Sequence, residues 1–320
     1  MLKIGIVGTN TISDRFAEAA AATEHVTVTV VYSRTAQKGA AFSGRHAIPQ
    51  FFTDYETFLS SDIDAVYIAS PNMCHAAQTI AAAARKKHIL CEKPLAPTRA
   101  EAEAMCRTAN ENGVVLLEAM RPVFVPAMTA AKDALGKIGT LRYAHFDFCQ
   151  YSSRYNRFLS GEILNAFDPA LGNAAILDIG IYPLSIMLYL LGNPEKIVGR
   201  SVILSNGFEG RGSLLCSYPG MTATVNYSKI ENSALPTVIV GEHGYIEIDK
   251  ANAPKRITLT VDGQCNAVIT DDAKNNMCYE IEAFRDMIFG RRSPLPYTER
   301  SLDVLTITDE IRRQNHIVFS

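Results

Sequence analysis

No two of the seven cysteines stand as a C-x-x-C pair. Cys74, Cys91, Cys106, Cys149, Cys216, Cys265 and Cys278 are scattered and odd in number, which argues against both a zinc site and a disulfide framework. Most fall inside apolar strand-like or helix-like stretches and read as small buried hydrophobes, best suited to a reducing cytoplasm. A basic excess is also missing. The 31 Lys and Arg against 33 Asp and Glu leave a formal net charge of −2, so nothing points to nucleic acid or to an anionic membrane. Nor is there a long hydrophobic run. The most apolar stretch, Ile176 to Leu191, is interrupted by Asp178, Gly180 and Pro183 and is short for a membrane span. The first strand-like run begins at Leu2, leaving no room for a signal peptide before the fold starts. Repeats, low-complexity tracts and His/Cys/carboxylate clusters with metal-ligand spacing are absent as well. What remains is an ordinary globular composition, 48% apolar and 20% charged over 320 residues, enough for two domains.

Within that composition the first part of the chain alternates short apolar runs with Ala-rich helical patterns. Strands are expected at Leu2–Val7, Val26–Tyr32, Ala65–Ala69, His88–Cys91 and Val114–Glu118, with helices at Asp14–Ala22, His75–Lys86 and Arg99–Asn112. Alternating β and α imply parallel strands joined by right-handed crossovers, and a doubly wound Rossmann-type α/β sheet is the natural product. The pattern changes near residue 120, where Pro122 and Pro126 punctuate the chain. A helix (Ala127–Leu135), a strand (Leu141–Phe148) and an apolar helix near 183–191 follow. Then come seven strand-like runs from Lys196 to Thr270 separated by turn signals, which read as a largely antiparallel sheet in an α+β domain. Helices at Met277–Phe289 and Glu299–Asn315 close the chain. The expected division is 1–120 for a dinucleotide-binding domain and 121–320 for a substrate and oligomerisation domain.

The first strand runs into Gly8-Thr9-Asn10-Thr11-Ile12-Ser13. Against the G-x-G-x-x-G/A fingerprint only Gly8 is intact; Asn10 stands at the second glycine and Ser13 at the third. Asn tolerates left-handed backbone better than most residues, Ser is small enough for close helix–strand packing, and the helix N-terminus offers N–H groups to a pyrophosphate. An ordinary βα turn is the plain alternative. After the second strand stand Tyr32-Ser33-Arg34-Thr35 and then Lys38. An NAD-preferring site often has a carboxylate here. Arg34 can instead pair with a 2′-phosphate, aided by the Ser33 and Thr35 hydroxyls, which favours NADP over NAD; the alternative is a solvated basic helix start. Ser70-Pro71-Asn72 follows the Ala65–Ala69 strand, at a carboxyl end where open α/β sheets bind ligands, although Asn72 can also cap the next helix. His75 lies one turn on, where a lone His is commonly a surface residue.

Two further constellations carry chemistry. Cys91-Glu92-Lys93-Pro94 ends a buried strand. An ammonium there is costly unless used or paired, and Pro94 holds Lys93 extended and permits a cis bond; a loop lysine in water is the alternative. Glu92 points to the opposite face if the strand continues. Asp178 and Tyr182 are four apart at the head of the apolar helix and share a face if that segment is helical. Pro183 suits a first helical turn, so the helix is expected to start near Tyr182 with Asp178 just before it. An N-cap aspartate and a core tyrosine would give the same spacing.

These marks together resemble the Gfo/Idh/MocA oxidoreductase family over essentially the full length. The specific ones are Val66-Tyr-Ile-Ala-Ser-Pro-Asn72-x-x-His75, Glu92-Lys93-Pro94, Glu118-Ala119, Gly172 through Asp178-x-Gly-x-Tyr182, and Tyr279-Glu280-x-Glu282-x-Phe284. The resemblance implies a cis Lys93–Pro94 bond, with Lys93 beside the nicotinamide and in contact with substrate. It implies that Asp178 orients the substrate and that Tyr182 exchanges the proton, and Ser33-Arg34 is similar to NADP-using members. The dinucleotide contacts so implied are Gly8, Thr9, Asn10, Thr11, Ile12, Ser33, Arg34, Lys38, Ser70, Asn72, His75, Glu92 and Lys93. There are departures. Arg121 and Val123 stand where the dihydrodiol-dehydrogenase branch has Trp and Arg, and Asn173 and Ala174 follow Gly172 where the family is often glycine-rich. Arg121 can recognise an anionic or polyhydroxyl substrate or form a surface ion pair.

The expected reaction is reversible hydride transfer between a nicotinamide and a carbonyl/alcohol carbon of a sugar-like, polyol or dihydrodiol substrate. Tyrosine ionises near pH ~10, so Tyr182 needs a neighbouring cation such as Lys93 to work near neutrality. The resemblance also leaves room for a non-catalytic dinucleotide sensor and for an NAD-assisted glycosidase. A homodimer or homotetramer is expected, built on the second-domain sheet.

Overall fold

Six strands build a parallel sheet at the start of the chain, in a computed structural model that describes residues 1–271 and 273–318, the side chain of residue 266 excepted. The elements are β1 (Leu2–Val7), α1 (Thr11–Ala22), β2 (Val26–Tyr32), α2 (Ala36–His46), β3 (Gln50–Phe52), α3 (Tyr55–Leu59), β4 (Ala65–Ile68), α4 (His75–Ala84), β5 (His88–Glu92), α5 (Arg99–Asn112) and β6 (Leu116–Ala119). The order is β3-β2-β1-β4-β5-β6, with every pair parallel. Ile4, Ile6, Val66, Ile68, Ile89 and Leu90 on the three central strands are buried, as a sheet covered on both faces requires. Phe16 of α1 stacks on Tyr67 of β4 with ring centroids 3.7 Å apart. The order reverses between β1 and β4, so their carboxyl ends form the switch point where such sheets take ligands. The expected elements are present, and α2, β3 and α3 are additional. Helix α4 ends at Ala84 rather than Lys86, because Lys86 turns left-handed (φ 59°).

The second sheet has eight strands. Its elements are α6 (Pro126–Ala134), β7 (Leu141–Cys149), α7 (Tyr155–Leu159), α8 (Ile181–Leu191), β8 (Lys196–Ile203), β9 (Glu209–Tyr218), β10 (Met221–Ser228), β11 (Thr237–Gly241), β12 (Gly244–Ile248), β13 (Arg256–Val261) and β14 (Gln264–Thr270). The order is β14-β13-β12-β11-β7-β10-β9-β8; only β7 and β10 run parallel, and the other neighbours are antiparallel. Ala144, Phe146, Val225, Tyr227, Ile239 and Ile246 alternate into a buried face that α8 covers. Tyr143, Val198, Leu215 and Tyr245 stand exposed on the other. Nearly every side chain of α8 is buried, which is why it reads as apolar all round.

The chain then returns. Helix α9 (Met277–Ile288) packs on α1, where Asn275 Nδ2 donates to the Arg15 carbonyl at 2.7 Å and Arg285 to the Glu24 carbonyl at 2.8 Å. The compact units are Met1–Ala119 with Lys274–Leu302, and Met120–Ala273 with the chain from Asp303 on. The last helix, α10 (Leu295–Gln314), therefore contributes residues to both. A single cut at residue 120 makes no provision for this return, because nothing in the periodicity of a helix says which sheet it will cover. Three cysteines are buried, three half-buried and Cys265 exposed, fewer buried than their apolar neighbourhoods suggest. Among the described residues no helix is long and apolar enough to cross a membrane.

Gly212 on β9 supports the Tyr227 ring: a Cβ there would lie 2.1 Å from the phenolic oxygen. Tyr227 is fully buried and cannot swing away, so Gly212→Ala overpacks a rigid site. We expect a loss of about 1–3 kcal/mol, read as a lowered urea midpoint with an unchanged slope.

Candidate functional site

The turn after β1 is built around Gly8. Its φ is +107°, and a Cβ would come within 2.8 Å of the Ala69 carbonyl oxygen at the end of β4, so only glycine lets the two strand ends approach so closely. Asn10 does not use a left-handed backbone; it is extended (φ −92°, ψ 178°) and caps α1. Its Oδ1 accepts from the N–H groups of Ile12 and Ser13, each at 3.1 Å, while its Nδ2 donates to the Ala69 carbonyl at 2.8 Å. The side chain thus replaces the second glycine of the fingerprint by stitching the turn to β4. The cost is that the Ile12 and Ser13 amides are already spent, leaving Thr9, Asn10 and Thr11 as the amides outside the cap. Ser13, at the third glycine position, is fully buried beneath the turn.

At the end of β2, the Ser33 amide donates to the Phe52 carbonyl at 3.0 Å, and Ser33 is buried while Arg34, Thr35 and Lys38 are exposed. Thr35 opens α2 without a side-chain cap, and α2 has no acidic residue in its first turn. Two cations and open helix amides face outward here with no carboxylate beside them on the helix, which suits a phosphate.

The Lys93 loop is held from three sides. Its bond to Pro94 is cis. The Glu92 carboxylate accepts from the Lys93 amide at 3.3 Å and from the Tyr67 hydroxyl at 2.5 Å. His75 lies with one ring nitrogen 2.9 Å from the Pro94 carbonyl oxygen and the other 3.0 Å from that of Ser70. Glu118 of β6 accepts from the Leu95 amide at 2.9 Å and from the Ser301 hydroxyl at 2.6 Å. His75 is only 1% exposed, and burial lowers its pKa. It is therefore not the surface residue its position suggested. His75 and Glu92, expected among the ligand contacts, are spent on the loop that carries Lys93. Asn72 sits within a short 3₁₀ turn and Cys74 holds the cap position of α4, so Asn72 is not that helix's N-cap. Ser70 Oγ donates to Gln78 Oε1 at 2.6 Å.

In the second unit Asp178 lies in a π-helical turn, Ile176–Gly180, that runs directly into α8. The helical register therefore starts before Tyr182, and the wide turn accommodates Pro183, which has no N–H to give. The turn is anchored at both ends. The Ile176 amide donates to Glu209 at 2.8 Å, and a Cβ on Gly180 would lie 2.9 Å from the Tyr227 ring. Glu209 also accepts from Ser201 at 2.6 Å and Tyr227 at 2.7 Å, and burial raises its pKa. Tyr182 meets Phe148 edge to face, with centroids 5.6 Å apart. Arg121 is buried, which removes the surface ion pair as its role. Sequence reasoning missed Lys229, whose ammonium lies 2.8 Å from Asp178 Oδ2. No local signal marked it: Lys229 follows the polar–apolar alternation of Met221–Ser228 like an ordinary strand-end lysine.

Residues 2–120 match the family described as oxidoreductase family, NAD-binding Rossmann fold, and residues 130–247 match the GFO/IDH/MocA C-terminal domain. The chain belongs to the Gfo/Idh/MocA oxidoreductases. It is 41% identical over 323 residues to scyllo-inositol 2-dehydrogenase (NADP(+)) of Bacillus subtilis, covering all of this chain and 98% of that one. It is 30% identical to mouse trans-1,2-dihydrobenzene-1,2-diol dehydrogenase, over 81% of this chain and 78% of the other. Among solved structures, the aldose–aldose oxidoreductase of Caulobacter crescentus superposes with a TM-score of 0.86 at 25% identity, covering 98% and 97% of the two chains. As a Gfo/Idh/MocA protein the chain is an NAD(P)-dependent oxidoreductase, with the parallel and mostly antiparallel sheets of that family.

Burial raises the Glu118 pKa above its ordinary 4.5, against the two hydrogen bonds it accepts. The folded protein then holds a proton that the unfolded chain has released, so this group's contribution to stability falls as pH rises from about 4.5 toward the folded value. We expect Glu118→Gln, which can still accept from Leu95, to lose less stability than the wild type between about pH 5 and about pH 8 in parallel urea titrations. A wild-type-to-variant difference that stays constant with pH would contradict this.

Proposed function

We propose that this chain interconverts a ring hydroxyl and a ketone of an inositol-like polyol, with NADP as its nicotinamide cofactor. The observation that carries the cofactor choice is the exposed Arg34 and Lys38 at the uncapped start of α2, where an NAD site would place a carboxylate. The full-length relative, an NADP-dependent scyllo-inositol 2-dehydrogenase, supports the substrate class.

The residues fit the cofactor. Gly8 lets the turn close against the Ala69 carbonyl, where a Cβ would clash, and Thr9, Asn10 and Thr11 offer amides to a pyrophosphate. Arg34, with Ser33 and Lys38, would take the 2′-phosphate. Bound NADP supplies the acceptor or donor of a hydride. The chain's own residues do the rest. Oxidation of CH–OH to C=O releases one proton, and Tyr182 takes it; in reduction Tyr182 returns it. Lys93 offsets the negative charge that develops on the substrate oxygen. Asp178 accepts a hydrogen bond from a substrate hydroxyl and fixes which carbon reacts.

Fluorescence titration should show NADPH binding well ahead of NADH. Arg34→Ala should weaken NADPH by about 10- to 100-fold, as loss of a charged hydrogen bond to phosphate does, with little change for NADH. Equal loss for both cofactors would sink the 2′-phosphate assignment. In turnover with NADP+ and a panel of inositols, aldoses and diols, scyllo-inositol should rank among the fastest. Lys93→Ala should cut kcat by at least ~10²-fold while NADPH binding persists; near wild-type rates would remove Lys93 from the mechanism.

A further inference from the structure

We infer that Lys229 is the positioning residue for Asp178. The inference rests on the reading of Asp178 as the group that orients substrate. Lys229 follows the last residue of β10, and its backbone is fixed on both sides: its amide donates to the Gly210 carbonyl at 2.9 Å, and its carbonyl accepts from the Ser152 amide at 2.9 Å. Its side chain is 4% exposed. The ammonium donates to the Ala166 carbonyl at 2.8 Å and stands 4.9 Å and 5.2 Å from the ring centroids of Phe167 and Phe208, both close enough for cation–π attraction.

Such a site selects for charge, not for bulk. A methionine would fill the space between two phenyl rings without the desolvation an ammonium must bear. The ammonium is retained where it meets the Asp178 carboxylate at 2.8 Å, and the pair is lopsided: Lys229 is 4% exposed and Asp178 41%. A surface ion pair, with two long mobile side chains, fixes nothing. Here one partner is immobile and buried, and the other is short and faces outward. Lys229 therefore sets the direction of the Asp178 side chain, and not the reverse. The backbone of Asp178 is fixed separately, through Glu209 on the Ile176 amide and Tyr227 against Gly180. Main chain and side chain of one aspartate are thus held by different residues, and Lys229 serves the side chain alone.

A double-mutant cycle tests this, with the full-length protein, NADP+ and scyllo-inositol or the most rapidly oxidised member of the polyol panel. Asp178→Asn by itself decides whether Asp178 engages the substrate. Lys229→Met should lower kcat/KM on the order of 10²-fold, as misplacement of a reacting group does, mainly through KM if the hydrogen bond is made equally to bound substrate and transition state. NADPH affinity should not change. In the Asp178→Asn background the same Lys229→Met change should cost less than about threefold, because the residue it positions is already disarmed. Equal losses in the two backgrounds, or a parallel loss of NADPH affinity, would overturn the inference by showing general damage. If Asp178→Asn leaves turnover unchanged, the reading of Asp178 fails and Lys229 has nothing to position, a result distinct from the other two. Should Lys229→Met not yield folded protein, Lys229→Arg, which keeps the charge but displaces it, carries the same cycle.

Discussion

Three buried side chains fix the backbone of Lys93, Pro94 and Leu95, and the chemistry assigned to the first unit depends on that clamp. A strand end is an exposed edge of hydrogen-bonding groups, and a loop leaving it is mobile unless those groups are tied. Glu92, His75 and Glu118 tie one group each, from the loop's own strand, from the helix after β4 and from the neighbouring strand. Each is a titratable residue taken out of water, which is unfavourable by itself. The arrangement spends stability to give one lysine a defined place.

The second unit solves the same problem with different parts. Its candidate aspartate is in a π-helical turn, a conformation that an apolar sequence would not keep unaided. Glu209 holds the start of the turn, the Tyr227 ring packs against its end, and Lys229 takes the side chain. Glu209 opens β9, and Tyr227 and Lys229 lie at or just past the end of the neighbouring β10. The sheet interior thus projects a small polar device toward a single turn. The apolar face of the sheet is what makes that device rigid, since Tyr227 can neither tilt nor slide between Gly180 and Gly212.

The large features of the fold were legible because periodicity records burial. Short apolar runs alternating with helical patterns gave the parallel strands, and strand-like runs parted by turn signals gave the second sheet. What stayed hidden was weakly patterned, as in α2, whose Gly39 and Gly44 interrupt the helical signal, or short. The short strand Gln50–Phe52 and helix Tyr55–Leu59 lack the length for a pattern to show. At the candidate site, the residues proposed to meet cofactor and substrate stood out by type and place: Gly8 after a strand, Arg34 where a carboxylate is common, Lys93 before a proline. The residues that hold them did not. His75 and Glu92 were expected among the ligand contacts through the family resemblance, and their burial and hydrogen bonds to the Lys93 loop were not legible in the sequence. Asn10 was read for its backbone when its side chain does the work. Lys229 and Glu209 are distant in sequence from everything they serve, and no local rule connects residue 229 to residue 178.

The Glu118–Ser301 hydrogen bond joins the sixth strand to the final helix across most of the chain. A ribosome delivers the whole parallel sheet, with Lys93 and Glu118 in place, long before it delivers Ser301. The sheet can assemble during that interval, but one oxygen of a buried carboxylate waits for its donor until residue 301 has been made. The second unit is made in between, so in the order of manufacture it is an insertion that separates the nucleotide-binding scaffold from its own last component. A nascent chain halted anywhere before residue 301 would carry a lysine loop with one of its supports incomplete.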